Sequence, residues 1–254
     1  MTKTATGEAD LADQGLGYAV NGPYYDVIFP EPVRASLSDA LRLLVPGART
    51  VADIGPGTGV FTETLLALVG REGEIFAVEP TRIMRAALVT RLSRMPAAAD
   101  TVTVLPEDAL EAEVDVPLDA VVLFNVIMHF SPEQRARLWR KWADALSPGG
   151  LLVMESQHPQ TATAIPPSVV PGGRLGRHRY DTVARADVVG EDLIRWVMTY
   201  RTWRGDDLIR EEAAEFDCHV VSDEVLAAEL TAVGLERHPA APEGIQAWRR
   251  AQTR

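Results

Sequence analysis

At 254 residues the chain is long enough for one α/β domain with an insertion. Apolar residues make up 46% and charged residues 24%, a globular balance, and no apolar run approaches the ~20 residues that span a bilayer. The formal charge of −11 argues against a nucleic-acid partner, which asks for a basic face, and the single Cys218 rules out an intramolecular disulfide and suggests no metal cluster.

Residues 1–17 carry acids and no apolar stretch, so they do not read as a secretory signal. Residues 1–30 are expected to form a leader or lid, and the cytoplasm is the expected compartment. Inside that segment, Gly22-Pro23-Tyr24-Tyr25-Asp26-Val27 places an aromatic pair among turn residues. Two readings stand: the tyrosines staple the leader to the body, or they supply a hydroxyl and a water-excluding wall to a pocket. Apolar residues at helical spacing (Val33, Leu37, Ala40, Leu41, Leu44) predict a helix over Glu31–Leu44, stopped before Pro46-Gly47.

Val51-Ala52-Asp53-Ile54 then predicts a buried strand running into Gly55, Gly57 and Gly59 at alternate positions, followed by a helix over Phe61–Val69. Glycine lets the backbone approach a ligand closely, and the helix N-terminus offers free N–H groups. The spacing is G-x-G-x-G, with Val60 where a dinucleotide loop carries its third glycine. Glu74–Glu79 predicts a second strand whose last residue is acidic, where an open α/β sheet grips a ribose through its hydroxyls. A helix over Thr81–Met95 leads to a third strand, Val102–Leu110, which holds Asp108-Ala109 at its end. A fourth strand opens at Asp119 and ends at Asn125; a helix over Pro132–Leu146, capped by Ser131, and the breaker Pro148-Gly149-Gly150 lead to a fifth, Leu151–Glu155.

In this order the features resemble the class I S-adenosylmethionine-dependent methyltransferases, in their small-molecule, natural-product branch, from about Tyr24 to Ser156. The resemblance implies a doubly wound, mostly parallel seven-stranded Rossmann-like sheet with S-adenosylmethionine as cofactor. It assigns the cofactor seat to Asp53, Gly55, Gly57, Gly59, Glu79 and Pro80. Asp108 and the Ala109 backbone would meet the adenine, Asn125 would lie by the methionine end, and Tyr24 or Tyr25 would reach the cofactor carboxylate. Enzymes of this kind that methylate base amino groups have Asn/Asp-Pro-Pro-Tyr/Phe after strand four; this chain has Asn125-Val126-Ile127-Met128, so a small metabolite is the expected substrate.

After strand five the character changes. Residues 157–190 are rich in Pro, Gly and Arg, too long for a bare connection, and read as an inserted lid. Asp192–Trp203 and Leu208–Val221 read as an antiparallel β-hairpin turned at Arg204-Gly205-Asp206-Asp207, roofing the pocket or pairing with a second copy as a homodimer. Residues 157–221 are thus the substrate side, 31–156 the cofactor-binding core, and 222–254 a last helix and closing strands. Candidate bases are His129, with an ordinary pKa near ~6.5, and Glu155 and His158 just after strand five. For each the alternative is a packing or loop-ordering role. Arg174, Arg177 and Arg179 suggest an anionic substrate through paired hydrogen bonds, or else a solvated arginine loop; Trp196 and Tyr200 suggest an aromatic wall, or else simple core.

Overall fold

The computed structural model describes residues 17–252, so most of the leader read from the sequence lies outside the described residues. Two short helices, α1 (Tyr18–Asn21) and α2 (Tyr25–Ile28), precede α3 (Glu31–Leu44). α3 buries Leu37, Ala40, Leu41 and Leu44 of the expected stripe, while Val33 in its first turn is exposed. There follow β1 (Thr50–Ile54), α4 (Val60–Val69), β2 (Glu74–Val78), α5 (Arg82–Leu92), α6 (Ala98–Thr101), β3 (Val102–Leu105) and β4 (Leu118–Leu123). α7 (Pro132–Ala145) and β5 (Leu146–Glu155) complete the first half.

These strands form one sheet in the order β10-β11-β5-β4-β1-β2-β3, closed by β10 (Leu235–Arg237) and β11 (Ile245–Arg250), which both follow α8 (Asp223–Ala232) in sequence. Neighbours from β3 to β5 are parallel, and β11 is the strand that runs against them. Strands buried on both faces carry unbroken apolar sequence, as in Val121-Val122-Leu123, where every residue is fully buried. One face packs on Leu41, Leu65 and Leu88, the other on Trp139, Trp142, Leu226 and Leu230. Strand order reverses between β1 and β4, so a crevice opens above their C-terminal ends, where ligands bind in such sheets.

The segment after β5 holds more regular structure than a lid and one hairpin. It folds as β6 (Ile165–Leu175), β7 (His178–Val188), β8 (Leu193–Arg204) and β9 (Asp207–His219), a four-stranded antiparallel meander. Pro166, Pro167 and Pro171 mark a loop in the sequence, yet β6 is an edge strand, where a missing N–H costs no ladder bond. Its pairing slips beside those prolines, between Ile165 and Ser168 and between Pro171 and Arg174. The inner face of this sheet packs on the α1–α2 strap through Tyr24, Tyr200, Ile194 and Phe216. Among the described residues no helix is long and apolar enough to cross a membrane.

Candidate active site

The glycine turn leaves β1 at Ile54 and enters α4 at Gly59. Gly55 has φ +63°, and a Cβ there would lie 2.6 Å from Val126 Cγ2, so the turn after β4 closes directly over it. Gly57, also at positive φ, turns its N–H to Glu79 Oε2 at 2.9 Å. Glu79 Oε1 accepts from the Thr81 N–H at 2.8 Å. The carboxylate thus ties the ends of β1 and β2 together while only 4% exposed, and burial raises its pKa. A carboxylate offers about four acceptor positions, so two remain for a ligand.

Glu79, Pro80, Asp108 and Ala109 line one side of a cavity of about 110 Å³, with Gly55, Gly57 and Ile54 as its floor and Met84 and Phe130 as apolar walls. Asp108 Oδ1 caps the following turn through the Leu110 N–H at 2.6 Å, and the Trp142 indole N–H holds the Ala109 carbonyl at 3.1 Å. Two expected members do not reach this cavity. Asp53 lies beneath the turn, accepting the Thr62 hydroxyl at 2.6 Å, with its pKa pushed up to about 7 by burial. Gly59 faces Leu88 of α5, whose Cδ1 leaves no room for a Cβ.

The strap carries the aromatic pair to two different places. Tyr25 lines the cavity and leans over the glycine turn, 3.9 Å from where a Gly57 Cβ would stand. Tyr24 points the other way: its ring stacks on Tyr200 and its hydroxyl donates to Glu212. It staples strap to sheet and does not line the cavity. The reason is helical geometry, since adjacent residues project about 100° apart. Asp26 latches the strap to the body by accepting from the Thr58 hydroxyl and from Arg91, whose Nε also donates to the Thr58 carbonyl at 2.8 Å.

Past β4 the chain makes a tight corner at Asn125, the single non-glycine at positive φ (56°) among the described residues. Its N–H donates to Glu155 Oε1 at 2.9 Å. Glu155 therefore lies behind the corner, outside both cavities, with its other oxygen buried and unpartnered and its pKa pushed up to about 7 by burial. Through that bond it supports the corner. The corner leads into a 3₁₀ turn, Ile127–His129, just before α7. Ser131 and Gln134 cap α7 reciprocally and Pro132 fills its first turn, so His129 is free of any capping duty.

His129 stands at the junction of two cavities. Its Nε2 lies 3.0 Å from the Tyr18 hydroxyl, its Nδ1 is buried without a partner, and burial pushes its pKa down to about 4. The second cavity, of about 400 Å³, shares Tyr18, Tyr25, Asn125 and His129 with the first. Its far wall is the antiparallel sheet, including Trp196, Tyr200, Met198 and Phe216, with His158 at one edge. His219 also lines it, paired with Asp192 at 3.2 Å.

The arginines stand elsewhere. Arg174, Arg177 and Arg179 sit around the β6–β7 turn and none lines either cavity. Arg179 bonds Asp181 at 2.7 Å and lies over the Trp203 ring, with Arg201 against the same ring and the same acid. Strand alternation explains it: Thr182 and Ala184 point inward, so odd-numbered Arg179 and Arg185 point out. Conversely, Tyr18 and Asn21 line the large cavity and were not singled out from sequence, while Gln157, directly after strand five, lines it too. Tyr18 follows a glycine-rich leader with no helical period, and only tertiary packing brings it to His129. The one local signal was the position of Gln157 two residues beyond β5.

Residues 51–150 match the methyltransferase domain family. Solved structures of similar fold include an amino pentose methyltransferase from Micromonospora echinaspora, bound to S-adenosylmethionine and involved in calicheamicin biosynthesis, at TM-score 0.67 and 20% identity, covering 99% of this chain and 100% of that one. A methyltransferase from Streptomyces caelestis aligns at TM-score 0.71 and 14% identity over 95% and 98% of the two chains. A sugar N-methyltransferase from Streptoalloteichus aligns at TM-score 0.65 and 23% identity over 99% and 98%. Among curated proteins, a carboxy-S-adenosyl-L-methionine synthase of Pseudomonas putida is 29% identical over 157 residues, 52% of this chain. The chain spans 62% of the length of that relative. Residues 51–150 thus carry the sequence of a methyltransferase domain, and the whole described fold is that of class I methyltransferase structures.

Proposed function

We propose that the protein transfers the methyl group of S-adenosylmethionine to a hydroxyl or amine of a small molecule. One observation carries this reading: a cavity at the strand ends that holds Glu79 and Asp108 and a larger cavity under the antiparallel sheet share four lining residues, with His129 at their junction. The residues present suit the cofactor. Glu79 keeps two acceptor positions for ribose hydroxyls, Asp108 and the Ala109 backbone stand where a base edge would lie, and Met84, Pro80 and Phe130 give flat apolar contact. When bound, the sulfonium supplies an already activated methyl carbon.

What remains for the chain is alignment, water exclusion and the acceptor's proton. Tyr18 and Tyr25 cover the junction. As a proton acceptor at Nδ1, His129 holds its own hydrogen on Nε2, donating to the Tyr18 oxygen. A base with pKa about 4 is weak toward an alcohol at rest, yet adequate for a proton that becomes strongly acidic as the methyl group bonds to its oxygen. The test is incubation with methyl-deuterated cofactor and candidate acceptors, read by mass spectrometry. A product carrying the label, with equimolar S-adenosylhomocysteine, is expected; a rearranged, unlabelled product would instead support cofactor chemistry without methyl transfer. The cavities favour methyl transfer over a carboxylated cofactor, because among the described residues no Arg or Lys lines either one.

The expected homodimer belongs to the same proposal. Val169, Leu175, Leu208 and Ile209 of the antiparallel sheet are exposed, and pairing through that sheet would cover them. Sedimentation equilibrium returning a monomer at tens of micromolar would remove this part and leave the chemistry untouched.

A further inference from the structure

The large cavity has a chemical signature that specifies more than a small molecule. Asn21 and Gln157 are 8% and 7% exposed, both line it, and the side-chain oxygen of each is buried without a hydrogen-bond partner. Both residues line a cavity of about 400 Å³, so a modest turn of either amide brings its polar atoms to open space. Buried amide oxygens are nearly always paired, and an unpaired one is costly. Among the other polar groups there, Thr182 donates to the Thr199 carbonyl at 3.1 Å, Tyr18 meets His129 Nε2, and His219 meets Asp192. Burial holds the Cys218 thiol neutral, with its pKa pushed up to about 12.

Equally informative is what the lining omits. Among the described residues no Asp, Glu, Lys or Arg lines this cavity, and most of the wall is aromatic or aliphatic. A carboxylate or phosphate seated here would lose its water and find no permanent cation, with only the imidazoles of His129, His158 and His219 to set against its charge. A neutral molecule with hydroxyl or amine hydrogens would satisfy both orphan oxygens and bury its apolar body against Trp196, Met198 and Phe216.

We infer that this cavity selects an uncharged, largely apolar substrate that presents hydrogen-bond donors to Asn21 and Gln157. The inference rests on the reading of this cavity as the acceptor site, and it assigns the two amides as specificity determinants. Three probes of one shape separate the alternatives: 2-naphthol carries a donor, 2-methoxynaphthalene lacks it, and 2-naphthoate carries a charge. Calorimetric titration is expected to give 2-naphthol at least about tenfold tighter than the ether and than the anion, because an unmade bond to a buried acceptor discriminates strongly.

In Asn21→Leu and Gln157→Leu proteins the advantage of 2-naphthol over its ether is expected to shrink to about twofold, with S-adenosylhomocysteine affinity unchanged. Tight binding of 2-naphthoate, equal binding of naphthol and ether to the wild-type chain, or no binding of naphthol would each overturn the inference. The wild-type comparison stands even if a variant fails to fold. S-adenosylhomocysteine titrated alone reports on the cofactor reading separately, and the naphthol series, repeated without it, reports on this cavity whichever way that result falls.

Discussion

The two cavities that meet at His129 are built by opposite means. The smaller is made of backbone: glycines at positive φ, strand ends and turn N–H groups, pinned by one carboxylate at Glu79. The larger is made of side chains carried by a strap and a second sheet, with Tyr24 stacked on Tyr200 holding the two together. Backbone geometry tolerates few residues, so the first cavity suits a ligand that does not change. Side-chain walls of Trp, Met and Phe can be exchanged at modest cost, so the second suits a substrate that differs from one protein to the next.

The hardest test of that contrast is Glu79→Ala. It removes the ligand's two open acceptor positions and the tie between Gly57 and Thr81 at once. Charged hydrogen bonds contribute roughly 1.5–3 kcal/mol each, so S-adenosylhomocysteine affinity should fall by about a thousandfold in calorimetry. Unchanged affinity would show that the smaller cavity is not the cofactor seat. The same variant should leave the binding of 2-naphthol to the larger cavity intact.

At the junction, His129→Ala should lower kcat by about a hundredfold while leaving S-adenosylhomocysteine affinity within about twofold, since general-base contributions start near that size. Tyr18→Phe should give a smaller loss of the same kind, because it removes only the partner of Nε2. The proposed base is the neutral imidazole, whose pKa burial pushes down to about 4. Activity limited by His129 should therefore persist as pH falls through the ordinary histidine range and fail only near 4. An acid limb in kcat/KM centred near ~6.5 and abolished by His129→Ala would show that the imidazole is far more solvated than its burial indicates.

A third test bears on the support behind the corner. Glu155 titrates near 7 in the folded chain against an ordinary 4.5, so the folded state binds more protons between those values and stability falls as pH rises through them. The shift corresponds to about 3 kcal/mol lost by pH 8. In Glu155→Gln the amide oxygen still accepts from the Asn125 N–H, and the part of the pH dependence between 4.5 and 7 that belongs to this group should vanish in denaturant titrations. Wild-type and variant curves that run parallel across that window would show that Glu155 is ionised at no cost, and hence that water reaches it.

The same contrast governs how much of the molecule could be read from its sequence. The parallel sheet was legible because buried strands leave unbroken apolar runs and glycine turns leave fixed spacings, each within a few residues of the chain. The N-terminal half of the smaller cavity followed from them. Asp53 and Gly59 belong to the same motif yet lie outside the lining of the smaller cavity, because a motif specifies a turn without saying which of its faces is the floor. The antiparallel sheet was half hidden: its hairpin turn at Gly205-Asp206 is a local signal, while β6 carries prolines that only an edge position excuses. Tyr18 and Asn21 were invisible, since what brings them to the cavity is the docking of a four-residue helix onto a distant sheet.

The smallest expected effect is the most pointed, because it reverses what arginines in an insertion suggest. Replacing Arg177 and Arg179 together by Ala removes two cations from the outer side of the β6–β7 turn, and Arg179 is 46% exposed on its side chain. Arg201 keeps the buried Asp181 satisfied at 2.6 Å and still covers the Trp203 ring. An exposed ion pair contributes at most about 1 kcal/mol, so thermal stability should drop by only a few degrees and the substrate KM should not move. A raised KM would bring the arginines to the mouth of the acceptor cavity, put a charge on the substrate, and remove the ground for reading the amides of Asn21 and Gln157 as its recognition groups.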